Sequence, residues 1–187
     1  MSESEERSTD PPSRDRTQWL EAVFRRYERP LLRYVLRIVG DLEAARETVQ
    51  DAFLELCRAE RREVAEHVAP WLFAVCRNRA FDLRRKGRLR SMQDTTDRIP
   101  DETRKQPSAA AEARESTSIV GRLLAALPAS QQEVIRLRFQ EGLSYKEIGT
   151  VTGLSISNVG FLMHTGLKRL RGEYAKGALA AGEGGTP

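Results

Sequence analysis

The sequence predicts an all-α fold in which two small helical domains are joined by a flexible linker, and three observations lead there. Apolar residues recur at three- and four-residue intervals between Trp19 and Leu83, and again between Ile119 and Phe139, which is the spacing of one buried helix face. Between these stretches residues 91–115 lose the period and gain Pro, Ser, Thr, Asp and Glu, the composition of a connector. Residues 144–171 then hold two helix starts separated by a glycine.

The first residues, 1–16, mix Ser, Pro and opposite charges without periodicity; they cannot bury enough apolar surface to offset their ordering entropy and are expected to be a disordered tail. A helix is expected from Thr17, with Trp19, Val23, Phe24, Tyr27, Leu31, Tyr34, Val35 and Ile38 as its core face. Pro30 should kink or break it after Tyr27, because proline lacks the N–H and clashes with the preceding turn. Gly40 closes the segment and Asp41 can cap the next helix, 42–58, which buries Leu42, Ala45, Val49, Ala52, Phe53 and Leu56. Its other side carries Glu43, Glu47, Gln50, Asp51 and Glu55 around Leu54. Such a side is either a solvated acidic face or a dock for a basic partner, with Leu54 as the apolar anchor.

A charged connector, 58–67, leads to Pro70 at an expected first helical position. The third helix puts Leu72, Val75, Cys76 and Leu83 in its core stripe, while Trp71, Asn78 and Arg85, spaced by seven, share a different stripe with Arg77 and Phe81 close by. An aromatic ring, an amide and guanidinium groups together suit unpaired nucleic acid: a base stacks on the ring, Asn pairs with a base edge and Arg neutralises phosphate. Half-buried packing of Trp71 and a basic helix end favoured by the macrodipole explain the same residues without a ligand.

After the linker, Ile119, Leu123, Leu124 and Leu127 form one helix ended by Pro128. Ser130 is expected to cap the next, with Val134, Ile135, Leu137 and Phe139 facing inward before Gly142. Ser144 and Glu147 make an S-x-x-E capping box, Gly153 is a left-handed stop and Ser155 caps a further helix. Helix, glycine turn and helix form the arrangement whose second helix enters the DNA major groove; helical hairpins that merely pack share the pattern. Residues 175–187 have nothing to anchor them and are expected to be disordered.

Composition limits the chemistry. With 187 residues, 31% of them charged, and a mean hydropathy of −0.53, two small soluble domains are affordable in size. No apolar run approaches a membrane span and the N-terminus lacks a signal-peptide core, so no membrane association and a cytoplasmic location are expected. A net charge of +4 and a pI near 9.3, with local clusters of Arg, point to a polyanionic partner. Cys57 and Cys76 lack ligand spacing and read as small buried residues; His67 and His164 are the only histidines. No metal, no cofactor and no catalytic constellation is expected, and no phosphate-loop or nucleophile-elbow motif occurs.

These motifs, in this order, resemble the extracytoplasmic-function (ECF) group of bacterial RNA polymerase sigma factors. The stretch YERPLLRYVLRIVGDLEAARETVQDAFLEL is similar to the family's Y-x-x-P-L-x-x-Y and D-A-E-D-x-V-Q-x-x-F pattern, and PWLFAVCRNRAFDLRRK to P-W-L-x-x-I-A-R-N-x-x-x-D-x-x-R. LPASQQEVIRLRFQEGLSYKEIGTVTGLSISNV resembles the family's helix-turn-helix stretch. The resemblance implies sigma domain two over 17–90 and sigma domain four over 116–174. It implies that Glu47, Gln50, Asp51, Phe53 and Leu54 dock on the clamp helices of the largest subunit of core RNA polymerase, although the helical pattern alone buries Phe53. It places Trp71, Arg77, Asn78, Arg79 and Arg85 at the promoter minus-ten element, and residues 58–67 at the loop shaping minus-ten specificity. Ser155, Ser157, Asn158, His164, Lys168, Arg169 and Arg171 fall at the minus-thirty-five element. An anti-sigma factor is an implied partner; a polymerase-independent helix-turn-helix repressor is the alternative. The chain departs from the family where Gly160, Leu162, Thr165 and Leu167 replace basic or polar readers; Phe161, Leu162 and Leu167 suit thymine methyls or a protein partner equally.

Overall fold

The structure is a computed structural model that describes residues 14–93 and 119–182, with side chains described for 14–87 and 119–176. Among the described residues every regular element is helical: α1 (Arg14–Val39), α2 (Leu42–Arg58), α3 (Arg61–Val64), a 3-10 turn (Ala65–His67), α4 (Val68–Gln93), α5 (Ile119–Ala125), α6 (Ala129–Phe139), α7 (Tyr145–Thr152) and α8 (Ile156–Gly182). No helix among them is long and apolar enough to cross a membrane. Most of the expected linker lies outside the described residues.

In the N-terminal domain α1, α2 and α4 pack pairwise. Leu31, Val35, Ala45, Ala52, Leu56, Leu72, Phe73, Cys76 and Ala80 are completely buried; full burial of a large apolar side chain contributes about 1.5–3 kcal/mol. Helix α1 starts at Arg14 rather than Thr17, and Arg16 explains the extra turn. Its guanidinium donates to the Cys57 and Ala59 carbonyl oxygens at 2.7 and 3.0 Å, satisfying the open end of α2. Pro30 does not break α1, which runs through it. The hydrogen bond lost there is offset by Val23 before it and Leu31, Tyr34 and Val35 after it, all held in one core. Gly40 takes a left-handed φ of 76°, and Asp41 caps α2 by accepting from the Ala44 N–H at 2.8 Å.

Helix α4 begins at Val68, so Pro70 sits in its first turn but not at its first position. Its buried stripe is Leu72, Phe73, Cys76 and Ala80, whereas Leu83, expected in the core, is 42% exposed and lines a surface pocket beside Glu47, Thr48 and Asp51 of α2.

The C-terminal domain packs α6 on α8, with α7 beside both. The expected cap of α6 shifts to Pro128, which leaves Ser130 inside the first turn. Val134, Ile135 and Leu137 are buried, but Phe139 faces solvent at the end of α6. Gly166 is needed for contact: a Cβ there would lie 2.8 Å from Ile135 Cδ1 and 3.3 Å from Gln131 Cβ, so α6 and α8 approach across it. Helix α8 continues to Gly182, past the expected end at Tyr174. The Ala-rich run after Tyr174 extends a helix already nucleated by packing, so it needs no core of its own.

Candidate functional site

The acidic side of α2 forms against solvent as its pattern dictates. Glu47, Gln50 and Asp51 are exposed, and Leu54 is 46% exposed. Beside Leu54 lies a groove of about 450 Å³ lined by Phe24, Leu32, Val49, Phe53 and Leu54, with Gln50 at its edge. Phe53 is a core residue, 8% exposed. Its ring packs at 4.8 Å and 51° on Phe24, so it forms the groove floor and leaves Leu54 projecting beside it.

Three consecutive residues of α4 point three ways, since each step along a helix turns about 100°. Asn78 is exposed. Arg79, expected at the same surface, turns to α2, where its guanidinium donates to Asp51 at 2.7 Å and also to Glu55. The hydrogen bond to Glu55 raises its pKa further, and the pair ties α4 to the acidic face. Arg77, also expected there, turns towards the C-terminal domain. Trp71 is half-buried, and Arg85 is exposed and pairs with Asp82 at 3.0 Å. Asn78 and Arg85, with the edge of Trp71, therefore make the open part of the predicted stripe.

The contact that the sequence did not suggest joins the two domains. The Tyr34 hydroxyl donates to Glu133 Oε1 at 2.6 Å. Arg77 donates through Nε to the same oxygen at 2.8 Å and through Nη2 to Glu133 Oε2 at 3.4 Å. Burial, then the Glu133 charge, raises the Tyr34 pKa far above the usual phenol range, so the hydroxyl stays a donor. Burial opposes the Arg77 charge, but the hydrogen bond and charge of Glu133 outweigh it and raise its pKa. Arg33 approaches Glu141 at 3.7 Å nearby. Burial raises the Glu141 pKa, while Arg33 and Arg37 act against the shift. The signal available in sequence was slight: Glu133 is the only acid in α6, and Tyr34 reads simply as core.

In the helix-turn-helix, Ser144 and Glu147 form the expected reciprocal capping box. The Glu147 carboxylate accepts from the Ser144 hydroxyl at 2.6 Å and N–H at 2.7 Å, and the hydroxyl bond followed by the backbone bond holds its pKa below the usual range. Gly153 has the left-handed φ of 74° required by the turn, and a Cβ on Gly149 would stand 2.8 Å from the Leu154 carbonyl oxygen. Ser155 accepts from the Asn158 N–H at 3.2 Å. Val159, Met163 and Gly166 point inward, so Ser157, Phe161, His164 and Lys168 share the outward face, with Ser155, Asn158, Arg169 and Arg171 also exposed. Leu162 and Leu167 pack against the core, which accounts for two of the apolar departures; Phe161 is 64% exposed and lies on the outward face.

Comparison with known proteins bears on both domains. The family models Sigma-70 region 2 and Sigma-70, region 4 match residues 23–90 and 118–170. The chain is 28% identical over 154 residues to the ECF RNA polymerase sigma factor SigL of Mycobacterium tuberculosis, covering 81% of this chain and 86% of SigL. It is 23% identical to the ECF sigma factor SigM of Bacillus subtilis, covering 84% and 96%. Among solved structures, the sigma factor RpoE from Bartonella quintana, in complex with the anti-sigma factor NepR, superposes with a TM-score of 0.57 over 84% of this chain and 94% of that one, at 21% identity. That last likeness is one of fold.

Proposed function

This chain belongs to the ECF group of sigma-70 factors, which are transcription initiation factors and not enzymes, and we propose that its two packed domains divide polymerase binding and promoter reading as follows. The groove of α1 and α2 receives the clamp helices of the largest polymerase subunit: Leu54 enters the partner, Phe24 and Phe53 line the floor, and Glu47, Gln50 and Asp51 meet basic and polar groups around it. Asn78, Arg85 and Trp71 on α4 capture unpaired bases of the minus-ten element, whose binding offsets the cost of unstacking them. Arg79 supports both faces by fixing α4 to the acidic residues of α2. The outward face of α8 reads the minus-thirty-five element through Ser157, His164 and Lys168, with Ser155, Asn158, Arg169 and Arg171 at its edges and Phe161 against a thymine methyl. Residues 17–90 and 116–174 are the two working units, acting in the cytoplasm beside the polymerase, and an anti-sigma factor controls their release.

The observation that carries this reading is the placement of the Leu54 groove and the Asn78 stripe on two helices riveted by Arg79. One rigid body thereby couples polymerase binding to strand capture. Run-off transcription with purified bacterial core polymerase tests it. Promoter-specific transcripts that depend on the chain are expected; tight duplex binding without polymerase, and no transcripts with it, would replace this reading with that of a repressor.

A further inference from the structure

We propose that the surface formed by Tyr34, Arg77, Phe81 and Arg84 is a phosphate-binding site of nucleic acid, and that Glu133 of domain four fills it as a carboxylate surrogate when the chain is free. The inference deepens the proposed function, since it assigns a ligand and a control to the promoter face of domain two.

A guanidinium presenting Nε and Nη2 to two oxygens of one oxyanion, with a phenol hydroxyl on the first oxygen, suits a phosphodiester as well as a carboxylate. At Glu133 those distances are 2.8, 3.4 and 2.6 Å. Phe81 holds the fork in place, for the guanidinium carbon of Arg77 lies 4.6 Å and that of Arg84 5.2 Å from its ring centroid. Among the described residues the cleft lining offers Glu133 as the single acid beside Arg77 and Arg84. One carboxylate leaves this surface electropositive, and a polyanion satisfies it better.

Arg77 precedes Asn78 on α4, so the fork stands one residue away, about 100° round the helix, from the exposed amide. Arg77 is 21% exposed and Glu133 18%, so the pair is shielded from solvent and from salt. The cleft between the domains is about 310 Å³, and a nucleic-acid backbone cannot reach the fork while Glu133 occupies it. Domain four therefore masks part of the minus-ten face in the free chain. It must swing away before a strand can be held at the fork.

The test uses the full chain with a donor and an acceptor dye on Cys57, which is exposed, and on a cysteine replacing the exposed Lys146 (Lys146→Cys). High energy transfer is expected without polymerase. Glu133→Arg and Arg77→Glu should each lower it, and the double exchange should restore it, with far-ultraviolet circular dichroism unchanged throughout. Glu133→Ala should bind a labelled single-stranded poly(dT) oligonucleotide about tenfold more tightly than wild type, the range expected when a charge-assisted competitor is removed. Adding Arg77→Ala should abolish that gain. Transfer that ignores both single charge reversals in a folded protein, or a double exchange that stays open, would overturn the masking. Domains that open with no gain in oligonucleotide affinity would overturn the phosphate site. None of these arms contains polymerase, so they stand apart from run-off transcription, whose failure would count against the proposed function instead.

Discussion

Leu54 and Phe53 are neighbours in sequence, and truncating each should damage different things. Leu54 is 46% exposed, so roughly half of the ~1.5–3 kcal/mol available from burying such a side chain remains to be gained on docking. Leu54→Ala should then cost about 1 kcal/mol of polymerase affinity, or about fivefold in Kd. The half already buried contributes at most a similar amount to folding, so the melting temperature should fall by no more than about 4–8 °C. Phe53 is 8% exposed and packed on Phe24, and Phe53→Ala should cost the fold about 3–5 kcal/mol through the cavity left behind. That is a large share of the roughly 5–15 kcal/mol that holds a domain together. Titrating labelled chain with core polymerase, alongside thermal melts of the chain alone, separates the two. A Leu54→Ala chain that binds polymerase as wild type does, while melting normally, would refute the groove as the dock.

Asn78→Ala should slow promoter opening, followed by permanganate reactivity of unpaired thymines, while polymerase affinity holds; Arg79→Ala should weaken both, because it frees Asp51 and Glu55 as well as α4. Ser144→Ala should cost about 1 kcal/mol of domain-four stability at pH 7 through the lost cap. Since the Glu147 carboxyl is held below its usual range by Ser144, that part of the stability is present above about pH 4.3 and is lost as pH falls through the lowered folded value. The gap between wild type and variant in denaturant titrations should therefore narrow on acidification. Iodoacetamide at pH 8 should modify Cys57 and spare Cys76 in the native chain, because burial pushes the Cys76 thiol up to about 12; mass spectrometry reads the count, and equal labelling of both would show that the core around Phe73 opens.

Local signals were enough for the elements that local chemistry makes. The capping box at Ser144, the Asp41 cap, the glycine stops and the amphipathic face of α2 each depend on residues within about one helical turn, and a linear sequence displays such pairs directly. Pro30 marks where local reasoning gives way: its cost is real, but long-range burial on both sides keeps α1 continuous. Gly166 is a second case, a poor helix former that α6 requires for close approach. At the candidate site the residue types were legible and their directions were not. Arg77, Asn78 and Arg79 are indistinguishable as a run of polar residues, and only the bundle sends one to Glu133, one to solvent and one to Asp51 and Glu55.

The sequence by itself determined that the chain is helical, that it has two domains, and which family its motifs follow, because periodicity, caps and motif order are properties of neighbours along the chain. Tertiary structure alone decided that the Phe53 ring packs on Phe24 beneath a groove beside Leu54, and that Tyr34 and Arg77 share a carboxylate 99 and 56 residues away. Contacts between residues so far apart depend on how whole helices settle against one another, and no spacing rule within one helix encodes that.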